Sequence, residues 1–165
     1  MENIIRITVL VFSLFIANGC SAENMRKFNV NHIEAEVLDS FQGLVEASKS
    51  LDANRYFQYF DKEKFTGLNS DGRVWLSMER LEKMIRPGFS QIDKIVALEF
   101  SNVKVTVINP TTAILVNEYR ETILLKNGTI VKQSGGGAQV WSKSGNAWKL
   151  VSFSASEAPI SAAPA

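Results

Sequence analysis

"QVWSKSGNAWKLVSFSASEAP", Gln139 to Pro159, decides how the rest of this chain is read. It holds two alternating apolar and polar runs, each with a tryptophan, on either side of a Ser-Gly-Asn segment. Alternation of period two marks strands with one buried face, and a Gly-Asn pair between them marks a hairpin. Gln139 shares a face with Trp141, and Ser152 with Trp148. The second strand presents serines at 152 and 154, so the ribbon walls either an active site or a pocket.

Upstream the same period persists. Ile92 to Ile108 alternates around Val103, Val105 and Val107, Asn109-Pro110 turns the chain, and Ala113 to Leu125 forms a second strand. Asn127-Gly128 suits a type I′ turn into a third strand, Thr129 to Lys143, and Trp148 to Ser156 is the fourth. "SGGGA", Ser134 to Ala138, lacks the Lys-Ser/Thr that a phosphate loop needs and reads as a bulge or sharp bend.

Before Ile92 the period is helical. Ile33, Val37, Leu38, Phe41, Leu44, Val45 and Leu51 stripe a long amphipathic helix. Asp52 caps a short second one bearing Tyr56, Phe57 and Phe60. "FTGLNSDGRVW", Phe65 to Trp75, folds back at Ser-Asp-Gly as a small hairpin. Ser77 opens a third helix with Met78, Leu81, Met84 and Ile85 on one side, and Pro87-Gly88 stops or kinks it. Three helices ahead of an antiparallel meander predict an α+β fold, with the helices on one face of a strongly curved sheet.

The N-terminus is of another kind. Ile7 to Ala17 is apolar or small, too short to span a bilayer and suited to the h-region of a secretory signal. "IANGC", Ile16 to Cys20, resembles the bacterial lipobox, although Asn18 departs from it. Cys20 is the only cysteine, so it forms no internal disulfide, and its position favours lipidation. Ordinary signal-peptidase cleavage after Gly19 or Ala22 is the alternative. Ser21 after a lipidated Cys20 implies, by resemblance, an outer-membrane lipoprotein facing the periplasm; without lipid the protein is periplasmic or secreted. Residues 1–19 are thus expected as signal, 20–31 as tether, 32–157 as one domain, and 158–165 as a tail.

In 165 residues, 45% hydrophobic content fills one core, and a net charge of +1 without any Lys/Arg run excludes a nucleic-acid footprint. One histidine, His32, and one cysteine leave no credible metal-ligand set, and no cofactor is expected.

The order of elements resembles the nuclear transport factor 2-like superfamily, nearest its SnoaL-like branch and the association domain of calcium/calmodulin-dependent protein kinase type II. The resemblance covers roughly residues 30–159 and is carried by the terminal ribbon, with "LDANRYFQYF" (Leu51 to Phe60) and "SDGRVW" (Ser70 to Trp75). It implies a cone whose sheet wraps the long helix, a cavity at the open end, and dimerisation through the outer face of the sheet. The same cone hosts isomerases, dehydratases, cyclases and scaffolds, so it implies no single chemistry. In the similar endings the last strand often carries a His-x-His alternation; here those positions are Ser152 and Ser154. Serine needs an adjacent base to act as a nucleophile, and none is at hand.

Candidate pocket residues follow from the elements that would surround the cavity: Tyr56, Phe60, Trp75, Tyr119, Glu121, Gln139, Trp141 and Ser152. The plainer reading of the rings is core packing. On the second long strand Tyr119 and Glu121 share a face with Ala113 and Leu115, opposite Glu118 and Arg120. Glu99, Glu118 or Glu121 could abstract a proton, against the plainer reading of a solvated strand edge. A mostly apolar cavity with a few polar groups suits a small amphiphilic ligand. The expected function is therefore non-catalytic binding of such a ligand, or of a protein partner, in the cell envelope, by a homodimer touching the membrane only through Cys20. The alternatives are an isomerase- or dehydratase-like enzyme with a carboxylate base, and a purely structural homodimer. A buried Glu121 or Glu99 with a raised pKa facing a closed cavity would favour the enzyme.

Overall fold

Asn29 accepts the backbone N–H of His32 through its side chain and so caps the first helix of the computed structural model, which describes residues 29–158. The expected signal segment, Cys20 and nearly all of the tail lie outside the described residues. Helix α1, Val30–Lys49, begins inside the stretch expected as tether. Its buried stripe is Ile33, Val37, Phe41, Leu44 and Val45. Leu38 lies off that stripe and is exposed, and Leu51, at φ 55, falls beyond the helix end. Asp52 caps α2, Ala53–Phe57, by accepting from the Arg55 N–H at 3.0 Å, as its position predicted.

The small hairpin forms as β1, Thr66–Leu68, and β2, Val74–Trp75, with Gly72 at φ 84 in the turn. Helix α3, Met78–Gln91, continues through Pro87 rather than stopping there. The added turn carries Phe89 onto Tyr56, ring centroids 5.5 Å apart, so tertiary packing offsets the hydrogen bond that proline removes.

Four long strands follow: β3, Ile92–Asn109; β4, Thr112–Leu125; β5, Ile130–Ser144; and β6, Ala147–Glu157. The six-stranded order is β2-β1-β6-β5-β4-β3. All neighbours are antiparallel except β1 and β6, which pair in parallel. The Lys126-Asn127-Gly128 turn is not type I′. Only Gly128 has positive φ, and the bonds from Gly128 N–H to Leu125 O and from Leu125 N–H to Thr129 O close a three-residue loop. A type I turn followed by a left-handed glycine bulge has this pattern. Gly145, at φ 60, occupies the first central position of the β5–β6 turn, where a type II′ hairpin wants glycine.

Register shifts bend β3 at four places. Across "SGGGA" the β4–β5 register is unbroken, so these glycines make no bulge. They permit close approach instead. A Cβ on Gly135 would lie 1.8 Å from the Ser156 carbonyl oxygen and 3.0 Å from Tyr119 Cε1. The bulge falls on β6: Val140 pairs with Ser152 while Trp141 pairs with Leu150, which leaves Val151 extra.

Helix α1 lies in the concave face of this sheet, with Phe41 edge-on to Phe100 of β3 at 5.1 Å. Burial of Val37, Phe65, Leu81, Leu115, Trp141 and Leu150 fills the region beneath it. Near the start of α1 the Glu36 carboxylate receives Lys143 Nζ at 2.7 Å and Trp148 Nε1 at 3.0 Å, fastening the helix to the β5–β6 ribbon. The result is an α+β cone, closed where α1 begins and open where it ends. Among the described residues no helix is long and apolar enough to cross a membrane.

Candidate functional site

Inward positions of β4 run from fully buried to polar. Ala113 and Leu115 are core; Asn117, Tyr119, Glu121 and Ile123 then line a cavity of about 540 Å³ that opens to solvent on one side. The second half of α1 supplies Phe41, Leu44 and Val45 as one wall, and α3 supplies Met84, Ile85 and Phe89. Trp75 of the small hairpin and Phe153 of β6 stack with rings 7° from parallel and complete the apolar lining.

Of the residues singled out from the sequence, Tyr56, Trp75, Tyr119, Glu121 and Gln139 line this cavity. Phe60 and Trp141 are buried in the core beside it. Ser152 is absent from the lining. The bulge at Val151 reverses the alternation, so Leu150 and then Phe153, Ala155 and Glu157 face inward while Ser152 and Ser154 do not. The missing His-x-His therefore carries no weight here, because those two positions do not reach the cavity. His32 also lies away from it, 3.4 Å from Glu36.

Glu121 is the cavity's half-buried acid. Burial pushes its carboxyl above the ordinary value, and a 2.6 Å hydrogen bond from Gln133 Nε2 opposes that only in part. Tyr56 carries no hydrogen bond on its hydroxyl among the described residues; burial first, and then the charge of Glu121, drive its pKa up. Tyr119 is raised by burial and by the carboxylates of Glu157 and Glu121. Glu99 and Glu118 are exposed and line no part of the cavity. Glu121 thus has burial and a raised pKa, but it stands in a cavity open to solvent, and its partner Gln133 is exposed.

Asn117 is a site residue that the sequence reading missed. Trp141 Nε1 donates to Gln139 Oε1 at 3.0 Å, and Gln139 Nε2 donates to Asn117 Oδ1 at 3.5 Å. An indole N–H only donates, so this relay has one direction. It ends at Asn117, which lines the cavity and whose amide nitrogen makes no hydrogen bond among the described residues. Gly137, the register partner of Asn117, leaves that amide uncovered; a Cβ there would sit 3.3 Å from Asn117 Oδ1. The run of glycines opposite Tyr119 and Asn117 was the available signal. Among the described residues no three His, Cys, Asp or Glu side chains converge to hold a metal ion.

A family model described as "SnoaL-like domain" matches residues 37–161. No curated protein matches the chain. Many solved structures do. A nuclear transport factor 2-like superfamily protein from Salmonella enterica serovar Typhimurium superposes with TM-score 0.70 at 15% identity, covering 80% of this chain and 95% of its own. A candidate dehydratase of the same family from Streptomyces avermitilis gives TM-score 0.69 at 15% identity, covering 78% and 98%. The association domain of C. elegans CaMKII gives 0.61 at 20% identity, covering 76% and 96%. At these identities the likeness is one of fold.

Proposed function

The chain belongs to the SnoaL-like domain family, and we propose that it is an exported, Cys20-anchored binding protein of the bacterial cell envelope whose cavity takes a small amphiphilic molecule. The observation that carries this reading is the cavity itself. About 540 Å³ of unfilled space, walled by aromatic and aliphatic side chains with a few convergent polar groups, is the form of a small-molecule site. A cavity of that size, left unfilled by side chains, also speaks against a purely structural module. Homodimerisation fits alongside binding, because Ile114 and Val116 expose an apolar strip on the outer face of the sheet, opposite Ala138 and Val140.

Native mass spectrometry of the mature protein tests the binding reading. A co-purifying adduct, or a rise in melting temperature with amphiphilic compounds, is the expected result. A bare mass and no thermal response across a panel varying in charge and chain length would sink it.

Glu121 favours a second reading. A carboxylate of raised pKa in a largely apolar cavity is what proton abstraction next to a carbonyl requires, and isomerase- or dehydratase-like chemistry would use it as the base. Its position in an open cavity keeps binding the first reading. Turnover of a carbonyl substrate that is abolished in Glu121→Gln would reverse the order.

A further inference from the structure

Building on the binding reading, we propose that the ligand is an elongated organic cation, its amine or ammonium head held between Glu121 and Glu157 and a hydrogen-bond acceptor along its body meeting the amide of Asn117. The charges lining the cavity carry one sign. Asp71, Glu121 and Glu157 reach it, and among the described residues no Lys, Arg or His does. Asp71 is already neutralised by Arg73, whose Nε lies 2.6 Å away. Glu121 and Glu157 have no cationic partner among the described residues; their closest polar contacts are the neutral donors Gln133 and Ser70, at 2.6 and 2.7 Å.

Tyr119 of β4 and Glu157 of β6 both pair with Gly135 of β5, and Glu121 is the next inward residue after Tyr119, so the two acids flank that ring in the cavity that Tyr56 also lines. Carboxylates beside aromatic faces form the usual receptor for an ammonium group. An anion there would meet unneutralised like charge. A neutral guest would cover the acids without supplying a counter-charge.

The second contact is independent of charge. Asn117 is only 7% exposed and lines the cavity; its Oδ1 accepts from Gln139, and its amide nitrogen has no acceptor among the described residues. It lies four residues from Glu121 on one strand, about 13 Å between α-carbons at the usual rise. A ligand meeting both is therefore extended, with apolar atoms between its head and its acceptor.

Calorimetric titration of the mature protein with three matched esters decides the matter. They are the ethyl ester of ω-trimethylammonio-hexanoate, its uncharged tert-butyl isostere, and monoethyl pimelate as the anion. The cation is expected to bind about tenfold tighter than the isostere, as a desolvated cation–aromatic and carboxylate contact allows, and the anion weakest. The preference is expected to vanish in the Glu121→Gln/Glu157→Gln double variant, while Asn117→Leu weakens the cationic ester more than a plain alkyltrimethylammonium. Equal or tighter binding of the isostere or the anion overturns the charge assignment and leaves the pocket standing. Failure of all three to bind overturns this assignment and counts against the pocket as well. The wild-type ranking needs no variant to fold.

Discussion

Gln133 and Glu121 stand opposite each other across β5 and β4, with Gln133 Nε2 2.6 Å from Glu121 Oε2. The bond favours the charged carboxylate and burial disfavours it, and burial prevails. A carboxyl whose folded pKa lies above its unfolded one contributes stability that is complete below the unfolded value and lost as pH rises through the folded value. Glu121 therefore weakens the fold at neutral pH. Glu121→Gln is expected to raise the urea midpoint at neutral pH and to match wild type in acid. A lower midpoint at neutral pH would show that the charged form is the one the fold prefers. A half-buried acid of raised pKa lining a cavity is what a candidate functional group looks like.

Gly135 yields a second expectation. Its missing Cβ is the space taken by the Ser156 carbonyl, at 1.8 Å, so Gly135→Ala forces β5 and β6 apart at the mouth. The cost expected is about 1–3 kcal/mol, as for other overpacked sites. Gly137→Ala meets only the edge of the Asn117 amide, at 3.3 Å, and is expected to fold well while covering that donor. Denaturant titration of the two variants checks the contrast, and equal losses would refute it.

Much of the site was legible because β4 keeps its alternation unbroken from Ala113 to Ile123, which put Tyr119 and Glu121 on the core face at once. Gln139 and Trp141 followed from the same rule on β5. Ser152 did not, because one extra residue at Val151 inverts every side chain after it, and a bulge leaves no mark in an alternating run of serines. Phe89 was hidden behind Pro87-Gly88, which read as a stop or a kink, whereas packing on Tyr56 accompanies a helix that runs on to Gln91. The parallel pairing of β1 with β6 joins Thr66 to Ser152, a long-range choice that a three-residue strand cannot announce. Asn117 looked like any polar inward residue. Only the donor direction set by Trp141 shows what it offers.

Glu36 provides a pH dependence of the opposite sign. Hydrogen bonds from Lys143 and Trp148 hold its carboxyl below the ordinary value, with the charges of Lys143 and His32 assisting. A depressed carboxyl contributes stability present above its unfolded pKa and lost as pH falls through the folded value. Glu36→Gln is expected to lower the melting temperature at neutral pH, and the difference should close in acid. Trp148→Phe removes one donor and also part of a buried ring, so its loss should combine the same pH-dependent share with a packing share that persists in acid. An unchanged melting temperature in Glu36→Gln would mean that α1 is held to the β5–β6 ribbon by packing alone.

Membrane attachment is tested at Cys20, the only thiol in the chain. A thioether diacylglycerol with an amide-linked acyl chain at this residue would bury several chains' worth of methylene, at ~0.8 kcal/mol each, ample for stable anchoring. Cys20→Ala removes the attachment atom and leaves the apolar run before it intact. After cell fractionation the variant is expected in the soluble fraction or still carrying its leader, with wild type in the outer membrane. Metabolic labelling with a fatty acid separates those outcomes from simple mislocalisation, since label should appear on wild type and be absent from the variant. Ser21→Asp should keep the label and shift the protein to the inner membrane. A wild-type protein that takes no label and washes free of membranes would instead place the cut at Gly19 or Ala22 and leave the domain unanchored.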